Sequence, residues 1–228
     1  MAKFFSFQVL PNIFKFLPID DRKNVRLTCH EWNDACNNLG IIMCEKFVFH
    51  RGNVAHMKAC FTKCKILRSN LEFYGLSLQH IPSIVWKYAG ARIKSLFICD
   101  CELDDDTMGD IIFYCSDLTS LSVVTPPGPY EPNRLFCSES ALDALIRHKV
   151  VQKNLQSFQL LTLIYVSPRM YRKIFEIYPN IRTFGVGNSN TYVKEKLVLP
   201  QMIENFAYPA GYAGEALIKQ LNEQPCLK

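Results

Sequence analysis

Large apolar residues recur at helical spacing near the start of the chain. Four of them follow an i, i+3, i+4, i+7 spacing and so share one stripe of an α-helix: Leu10, Ile13, Phe14 and Leu17. Pro11 lacks an N–H and fits best at the first helical position, which predicts that the helix starts there. Pro18 predicts its end, because the residue before a proline disfavours the α conformation.

Two more short helices are predicted downstream. Asp20 is a candidate N-cap for a helix through Val25 and Leu27. Thr28 and Glu31 have capping-box spacing ahead of a third helix that contains Trp32. Since helices this short are unstable alone, their apolar side chains must pack within the segment or against another protein.

The rest of the chain repeats one apolar pattern with a period near 25 residues. The frame at Ile93 fits L-x-x-L-x-L-x-x-C-x-L at every position, through Leu96, Ile98, Cys101 and Leu103. Related frames, of which the first and last are weaker, begin at Cys44, Arg68, Leu118, Leu155, Ile181 and Ile203. Each frame predicts a short strand whose alternate residues face a core.

Helical stripes lie between the predicted strands. They comprise Met108, Ile111, Ile112 and Cys115, then Leu142, Leu145 and Ile146, then Tyr171, Ile174, Phe175 and Tyr178. Asp104, Asp105 and Asp106 are expected to cap and charge the start of the first of these helices. Ala213–Leu221 is predicted to be the last helix.

One repeat contains a longer connection. Its segment Thr125–Arg134 reads TPPGPYEPNR, and the frames on either side start 37 residues apart, at Leu118 and Leu155. Four prolines and a glycine predict a loop inserted near 125–137. Such a loop is either a binding element or a tolerated surface insertion.

Composition narrows the class of protein. Hydrophobic residues make up 49% of the 228 residues, so a sizeable core is expected. The 26 basic and 21 acidic residues are interleaved without a dense basic run, which argues against nucleic acid as a partner. The apolar runs are too short for a membrane span, and polar residues interrupt the apolar start, which argues against a signal peptide.

The chemistry of the side chains predicts no catalytic site, no metal and no cofactor. Ten scattered cysteines indicate reduced thiols in the cytoplasm or nucleus. Cys60-x3-Cys64 and Cys99-x-Cys101 lack further ligands at zinc spacing, so packing thiols are the better interpretation. The five histidines form no catalytic motif, and a Cys–His pair assembled by the fold is the remaining enzymatic alternative.

The N-terminal segment resembles an F-box. The residues that carry the resemblance are Val9-Leu10, Ile13-Phe14, Leu17-Pro18, Asp21-Arg22, Leu27, Cys29 and Trp32, although Phe5 and Ser6 replace the usual Leu-Pro. The resemblance implies binding to a Skp-family adaptor. The residues expected at the adaptor face are Val9, Leu10, Ile13, Phe14, Leu17, Val25, Cys29 and Trp32, some of which must pack the module itself.

The repeats look like leucine-rich repeats of the longer, helix-containing type. The expected fold class is therefore α/β: a three-helix F-box over residues 1–40, then a leucine-rich repeat solenoid of about six units over residues 41–228. Parallel strands would line the concave side and helices the convex side. Among outward strand positions, Tyr74, Phe97 and Leu161 carry unexplained apolar bulk and are the candidates for contact with a target protein.

Together the two resemblances imply a non-catalytic substrate-recognition subunit of an SCF-type cullin-RING ubiquitin ligase. Such a subunit promotes ubiquitination and proteasomal degradation of its target in the cytoplasm or nucleus. Two alternatives remain: a repeat scaffold that no longer binds the adaptor, and an extracellular repeat protein with oxidised cysteines.

Overall fold

The computed structural model describes residues 9–37, 46–57, 69–81, 83–125, 142–143, 145–146, 154–162, 166–187 and 199–207. In these ranges three N-terminal helices precede strands that alternate with helices, so the α/β class predicted from the sequence is confirmed. The proline-rich stretch after Thr125, the pair Cys60 and Cys64, and Ala213–Leu221 lie outside the described residues.

Three short helices form the N-terminal segment: α1 (Val9–Phe14), α2 (Ile19–Arg26) and α3 (His30–Cys36). The predicted starts of α1 and α2 are wrong. Helix α1 already includes Val9, and Pro11 is tolerated because the first N–H groups of a helix have no intrahelical acceptor. Pro18 is the N-cap of α2, and Asp20 lies in its first turn, where a carboxylate favours the positive end of the helix dipole.

The predicted capping box of α3 is also wrong. The N-cap is Cys29 in an extended conformation, and it makes no side-chain cap hydrogen bond. The Thr28 hydroxyl instead donates to the carbonyl oxygen of Asn24 at 3.4 Å. Thr28 thus stays with the C-terminal end of α2, because a hydroxyl can satisfy a backbone acceptor there as well as a donor at the next helix.

Seven parallel strands form one sheet in the described residues. They are β1 (Lys46–His50), β2 (Asn70–Tyr74), β3 (Ser95–Cys99), β4 (Ser120–Val124), β5 (Ser157–Leu161), β6 (Thr183–Val186) and β7 (Asn205–Ala207). Neighbours in the sheet follow the order of the chain. Asn70, Ser95 and Ser120 are register partners, so β2, β3 and β4 repeat at the 25-residue period predicted from the apolar pattern.

The same backbone contact precedes five of the strands. One carbonyl oxygen accepts hydrogen bonds of 2.7 to 3.0 Å from two consecutive N–H groups at the start of the next strand. The acceptors are Ser69, Lys94, Thr119, Gln156 and Arg182. The repeat is therefore a repeat of backbone geometry as well as of side-chain type.

One apolar core lies against the sheet. Alternate strand residues such as Leu71, Phe73, Leu96 and Ile98 are buried in it. Because parallel crossovers are right-handed and the strand order never reverses, the described helices between the strands pack on this same face. Three helices of the strand region are α4 (Ser83–Ala89), α5 (Asp105–Tyr114) and α6 (Pro168–Ile177).

The predicted helices α5 and α6 are confirmed. Helix α4 was not predicted from the sequence. Asp104 caps α5 by accepting from the N–H of Thr107 at 2.8 Å, as expected. Leu142, Leu145 and Ile146 are helical too. Helix α4 escaped prediction because its seven residues are too few for a clear apolar period, yet Trp86 within it is fully buried.

The three-helix segment has a core of its own. Phe14, Ala35 and Cys36 are buried together, and this cluster is separate from the one under the sheet. The chain therefore builds two apolar cores in the described residues.

Candidate functional site

The core of the three-helix segment uses half of the residues predicted to bind a partner. Phe14 is 4% exposed, and its ring lies 5.5 Å from that of Trp32 at a tilt of 57°. Leu10, Leu17 and Val25 are partly buried against the same cluster. These four residues, Phe14 included, hold the helices together by burial of apolar area.

Two arginines of α2 bind the ends of the neighbouring helices. The Nε of Arg22 donates to the carbonyl oxygen of Leu17 at 2.9 Å, and its Nη2 donates to that of Lys15 at 3.1 Å. The Nη2 of Arg26 donates to the carbonyl oxygen of Cys36 at 3.3 Å. Because the last carbonyls of a helix lack intrahelical donors, these contacts stabilise the arrangement of α1 and α3 around α2.

Large apolar side chains remain exposed on the segment after its core is filled. We name these five residues the exposed apolar set: Val9, Ile13, Phe16, Leu27 and Trp32. The exposed fraction is 80% for Phe16 and 86% for Leu27. So many solvated apolar side chains in 29 described residues (9–37) are typical of a protein interaction surface.

The outward face of the sheet carries its side chains in rows across the strands. The row nearest the amino ends is polar and comprises Lys46, Asn70, Ser95, Ser120, Ser157, Thr183 and Asn205. The row at the carboxyl ends is more apolar and comprises His50, Tyr74, Cys99, Val124 and Leu161. The face therefore changes from hydroxyl and amide groups to aromatic and aliphatic groups along the strand direction.

Tyr74 is held in place by its neighbours on this face. Its ring lies 5.7 Å from the ring of Phe97, and its hydroxyl donates to Glu72 Oε2 at 3.1 Å. Lys46 Nζ lies 2.7 Å from Glu72 Oε1. Partial burial and the hydrogen bond to Glu72 raise the pKa of Tyr74, and the same carboxylate raises the pKa of Lys46. The phenol and the ammonium thus keep their protons around neutral pH.

Residues 6–42 of the chain match the F-box domain. The match covers all three N-terminal helices and supports the resemblance found in the sequence. F-box domains generally bind Skp-family adaptors and generally occur in non-catalytic adaptor proteins. The search of curated proteins found no match to the chain.

The structure divides the predicted adaptor-face residues of the F-box into two groups. Phe14, Leu10, Leu17 and Val25 pack its core, while Val9, Ile13, Cys29 and Trp32 are exposed. Phe16 and Leu27 are more exposed than any of these and were not predicted. Phe16 lies off the helical stripe and Leu27 follows the last turn of α2, so periodicity could not single them out, although their size could have done so.

The predicted target-contact residues lie on the outward sheet face. Tyr74 and Phe97 form one contact pair, and Leu161 lies two strands further along the sheet. A Cβ added to Gly185 would come within 3.0 Å of Leu161 Cδ2, so the leucine side chain leans over the glycine. Ser122 is buried at that face, where its hydroxyl donates to Gln159 Oε1 at 3.3 Å.

The described residues contain no cluster of three or more groups able to hold a metal ion. The thiol of Cys101 is buried, accepts from the N–H of Leu76 at 3.4 Å and donates to the carbonyl oxygen of Cys99 at 3.3 Å. Burial raises the pKa of both Cys99 and Cys101. The Cys101 thiol therefore packs and hydrogen-bonds, and burial disfavours the thiolate form of both cysteines. Among the described helices none is long and apolar enough to cross a membrane.

Proposed function

We propose that this protein is the substrate-recognition subunit of an SCF-type cullin-RING ubiquitin ligase. In this proposal the F-box binds a Skp-family adaptor and through it the cullin scaffold. The strand region is a leucine-rich repeat solenoid that binds a target protein for ubiquitination and proteasomal degradation in the cytoplasm or nucleus. The observation that carries the proposal is the F-box match over residues 6–42 together with the exposed apolar set.

The F-box side rests on unsatisfied apolar surface. Of the residues predicted for the adaptor contact, Leu10, Phe14, Leu17 and Val25 pack the F-box core. The residues proposed for direct contact are the exposed Val9, Ile13, Cys29 and Trp32, together with Phe16 and Leu27. Phe16 and Leu27 are solvated in the chain alone, and burying each would contribute about 1.5–3 kcal/mol by transfer from water. A protein that covers them gains binding energy without disturbing the core around Phe14.

The strand side rests on regular geometry. Strands in chain order, a 25-residue register and a repeated carbonyl contact are the properties of a stack in which each unit touches only its neighbours. Such a stack leaves one sheet face uncovered, and side chains from several repeats can contact a target there. Tyr74, Phe97 and Leu161 are the apolar candidates on that face.

The proposed mechanism requires no bond chemistry in this chain. Holding a target on the sheet face while the F-box holds the ligase raises the local concentration of the target's lysines at the ubiquitin-conjugating enzyme. The rate of transfer then depends on reach and residence time. A rigid array of repeats between the two surfaces serves this purpose because it keeps the span constant.

Adaptor binding can be tested with exposed residues that do not pack the core. We expect the double variant Ile13→Ala and Leu27→Ala to weaken binding to a purified Skp-family adaptor by about tenfold or more, measured by biolayer interferometry. Ile84→Ala is the matched control, because Ile84 is 44% exposed and Ile13 is 47% exposed, and Ile84 lies on α4.

Adaptor binding by the unmodified chain distinguishes a ligase subunit from a repeat scaffold. Failure of the unmodified chain to bind the adaptor at low salt would rule out the ligase role and leave the repeat scaffold. Equal loss with Ile84→Ala would mean that the F-box is not the contact surface.

A further inference from the structure

A cleft lies beside the aromatic pair at the carboxyl ends of the first three strands. Its volume is about 170 Å³, and its walls come from three successive loops. Arg51 follows β1, Gly75–Ser77 follow β2, and Asp100 and Glu102 follow β3. Drug-sized ligands usually occupy pockets of about 300–1,000 Å³, so this cleft has room for a single side chain.

The walls of the cleft are formed by ordered backbone. Ser77 and Glu102 form a parallel bridge beyond the ends of the strands. The N–H of Leu78 donates to the carbonyl oxygen of Glu102 at 2.9 Å, and the N–H of Glu102 donates to that of Leu76 at 2.8 Å. Gly75 has φ of +61°, and a Cβ there would meet no atom within 4 Å, which leaves the cleft open at this point. A ligand would thus find the site already formed.

Two polar side chains of the cleft have no hydrogen-bond partner within the described residues. The hydroxyl oxygen of Ser77 is buried and has no hydrogen-bond partner in the part of the chain that the structure describes. The carboxylate of Glu102 likewise makes no hydrogen bond or ion pair within the described ranges. Arg51 donates through Nε to the carbonyl oxygen of Gly75 at 3.0 Å, which holds its guanidinium at the rim. A buried hydroxyl without a partner is costly, so a ligand that donates to it gains binding energy.

The charge around the cleft is negative although the chain as a whole is positive. Residues 95–133 include no Lys, Arg or His, whereas the formal net charge of the chain is +5. Asp100, Glu102, Asp104, Asp105, Asp106 and Asp110 all fall within this stretch. Two of these carboxylates, Asp100 and Glu102, line the cleft, and among the described residues of the lining Arg51 is the one basic side chain. The local field therefore favours a cation.

We infer that this cleft binds a lysine or arginine side chain of the target protein, with Glu102 and Ser77 as its acceptors. The inference rests on the proposed function, because it specifies the target that the sheet face would take. Tyr74 and Cys99 directly precede the loops of the cleft, so a residue next to the basic one in the target would reach the Tyr74–Phe97 pair. The expected recognition element is a basic residue adjacent to an apolar one.

The test uses a small probe on the full chain. Nα-acetyl-arginine amide is titrated into the ¹⁵N-labelled protein, and backbone amide shifts are followed by NMR. We expect saturable shifts at Gly75, Ser77 and Glu102. Nα-acetyl-citrulline amide has nearly the same shape without the charge and should produce shifts at about tenfold higher concentration or none, since it cannot form a charge-assisted hydrogen bond with the carboxylate.

Protein variants identify the acceptors. Glu102→Gln should weaken arginine amide binding by about tenfold, and Ser77→Ala should weaken it less, because the hydroxyl is neutral. Glu176→Gln is the matched control, since Glu176 is an exposed carboxylate on α6. The comparison of arginine with citrulline on the unmodified chain holds even if a variant does not fold.

Equal shifts with both probes, or an unchanged affinity in Glu102→Gln, would overturn the inference. The readout does not involve the adaptor, so it can fail while adaptor binding succeeds. Conversely, arginine binding by a chain that does not bind the adaptor would refute the ligase role and support the cleft as a binding site for a basic side chain.

Discussion

At the scale of single residues, burial sets the proton affinity of two groups in the core. Burial raises the pKa of the Cys115 thiol to about 12, and it raises the pKa of Tyr178 to about 12. The Tyr178 hydroxyl also donates to the carbonyl oxygen of Leu145 at 2.6 Å, so its neutral form is the bonded one. Ordinary values are 9.0 for cysteine and 10.0 for tyrosine. Both groups are therefore protonated in the folded chain well beyond the pH at which they ionise in the unfolded chain.

This difference predicts alkaline sensitivity. The folded-state pKa lies above the unfolded value for both groups, so their stabilisation is complete below about pH 9 and is lost as pH rises towards about 12. Each group should lower the free energy of unfolding by up to about 1.4 kcal/mol per pH unit within its window. Urea unfolding at a series of pH values measures this slope.

Substitution of the thiol separates its contribution from that of the phenol. Cys115→Ala should reduce the slope between about pH 9 and about pH 10, where the Cys115 thiol of the unfolded chain ionises and the Tyr178 phenol does not. Cys29→Ala removes an exposed thiol and should leave the slope unchanged. A flat stability profile up to about pH 11 in the unmodified protein would refute the prediction.

At the scale of elements, two glycines have different surroundings: one lies at an open helix surface and the other at a contact between two helices. Gly109 lies within α5, and a Cβ there would meet nothing within 4 Å. Gly90 follows α4, and a Cβ there would lie 2.5 Å from the carbonyl oxygen of Tyr114 at the end of α5. A side chain at Gly109 would therefore change only the helix propensity of α5. Gly90, in contrast, is required for the close approach of α4 to α5.

The two positions predict opposite effects of the same substitution. Gly109→Ala should raise the free energy of unfolding by about 0.5–1 kcal/mol, because alanine loses less backbone entropy in a helix. Gly90→Ala should lower it by more than about 1 kcal/mol, because backbone must move to admit the methyl group. Thermal unfolding of the two variants beside the parent chain tests both. A stabilised Gly90→Ala variant would contradict the contact between α4 and the end of α5.

At the scale of the whole molecule, separate cores allow the F-box and the sheet to be perturbed independently. The cluster around Phe14 shares no buried residue with the one that contains Phe184. The Phe184 ring contacts more aromatic rings than the Phe14 ring does. Its neighbours include Tyr171, Phe175 and Phe158. Damage to one core should therefore stay within its own region.

Hydrogen exchange can measure this independence. Phe14→Ala should cost about 3–5 kcal/mol in the F-box and abolish protection of α1–α3. The amides of β3 and β4 should keep their protection factors. Phe184→Ala should show the reverse pattern, and loss of protection throughout the chain in either variant would mean that the two cores unfold as one.

The organisation of the chain follows from local pattern. A strand is recognisable from alternate apolar residues because its side chains alternate between faces, and the frame at Ile93 predicted β3 together with its neighbours in register. The match at residues 6–42 agrees with a motif read from residues such as Cys29 and Trp32. The predicted starts of the three helices were wrong because a cap depends on which backbone groups are left without partners. The Thr28 hydroxyl, for example, bonds the carbonyl oxygen of Asn24 and caps no helix start.

By itself the sequence determined the period of the strands, the alternation of strand and helix, and the F-box, because these depend on residues near one another in the chain. The tertiary structure alone decided that Phe14 is core while Phe16 and Leu27 are solvated, since exposure depends on what the other helices cover. It alone brought Ser77 and Glu102 to one cleft from loops 25 residues apart, because parallel register aligns the strand ends. Surfaces made from distant segments are set by packing, and packing is a property of the folded chain.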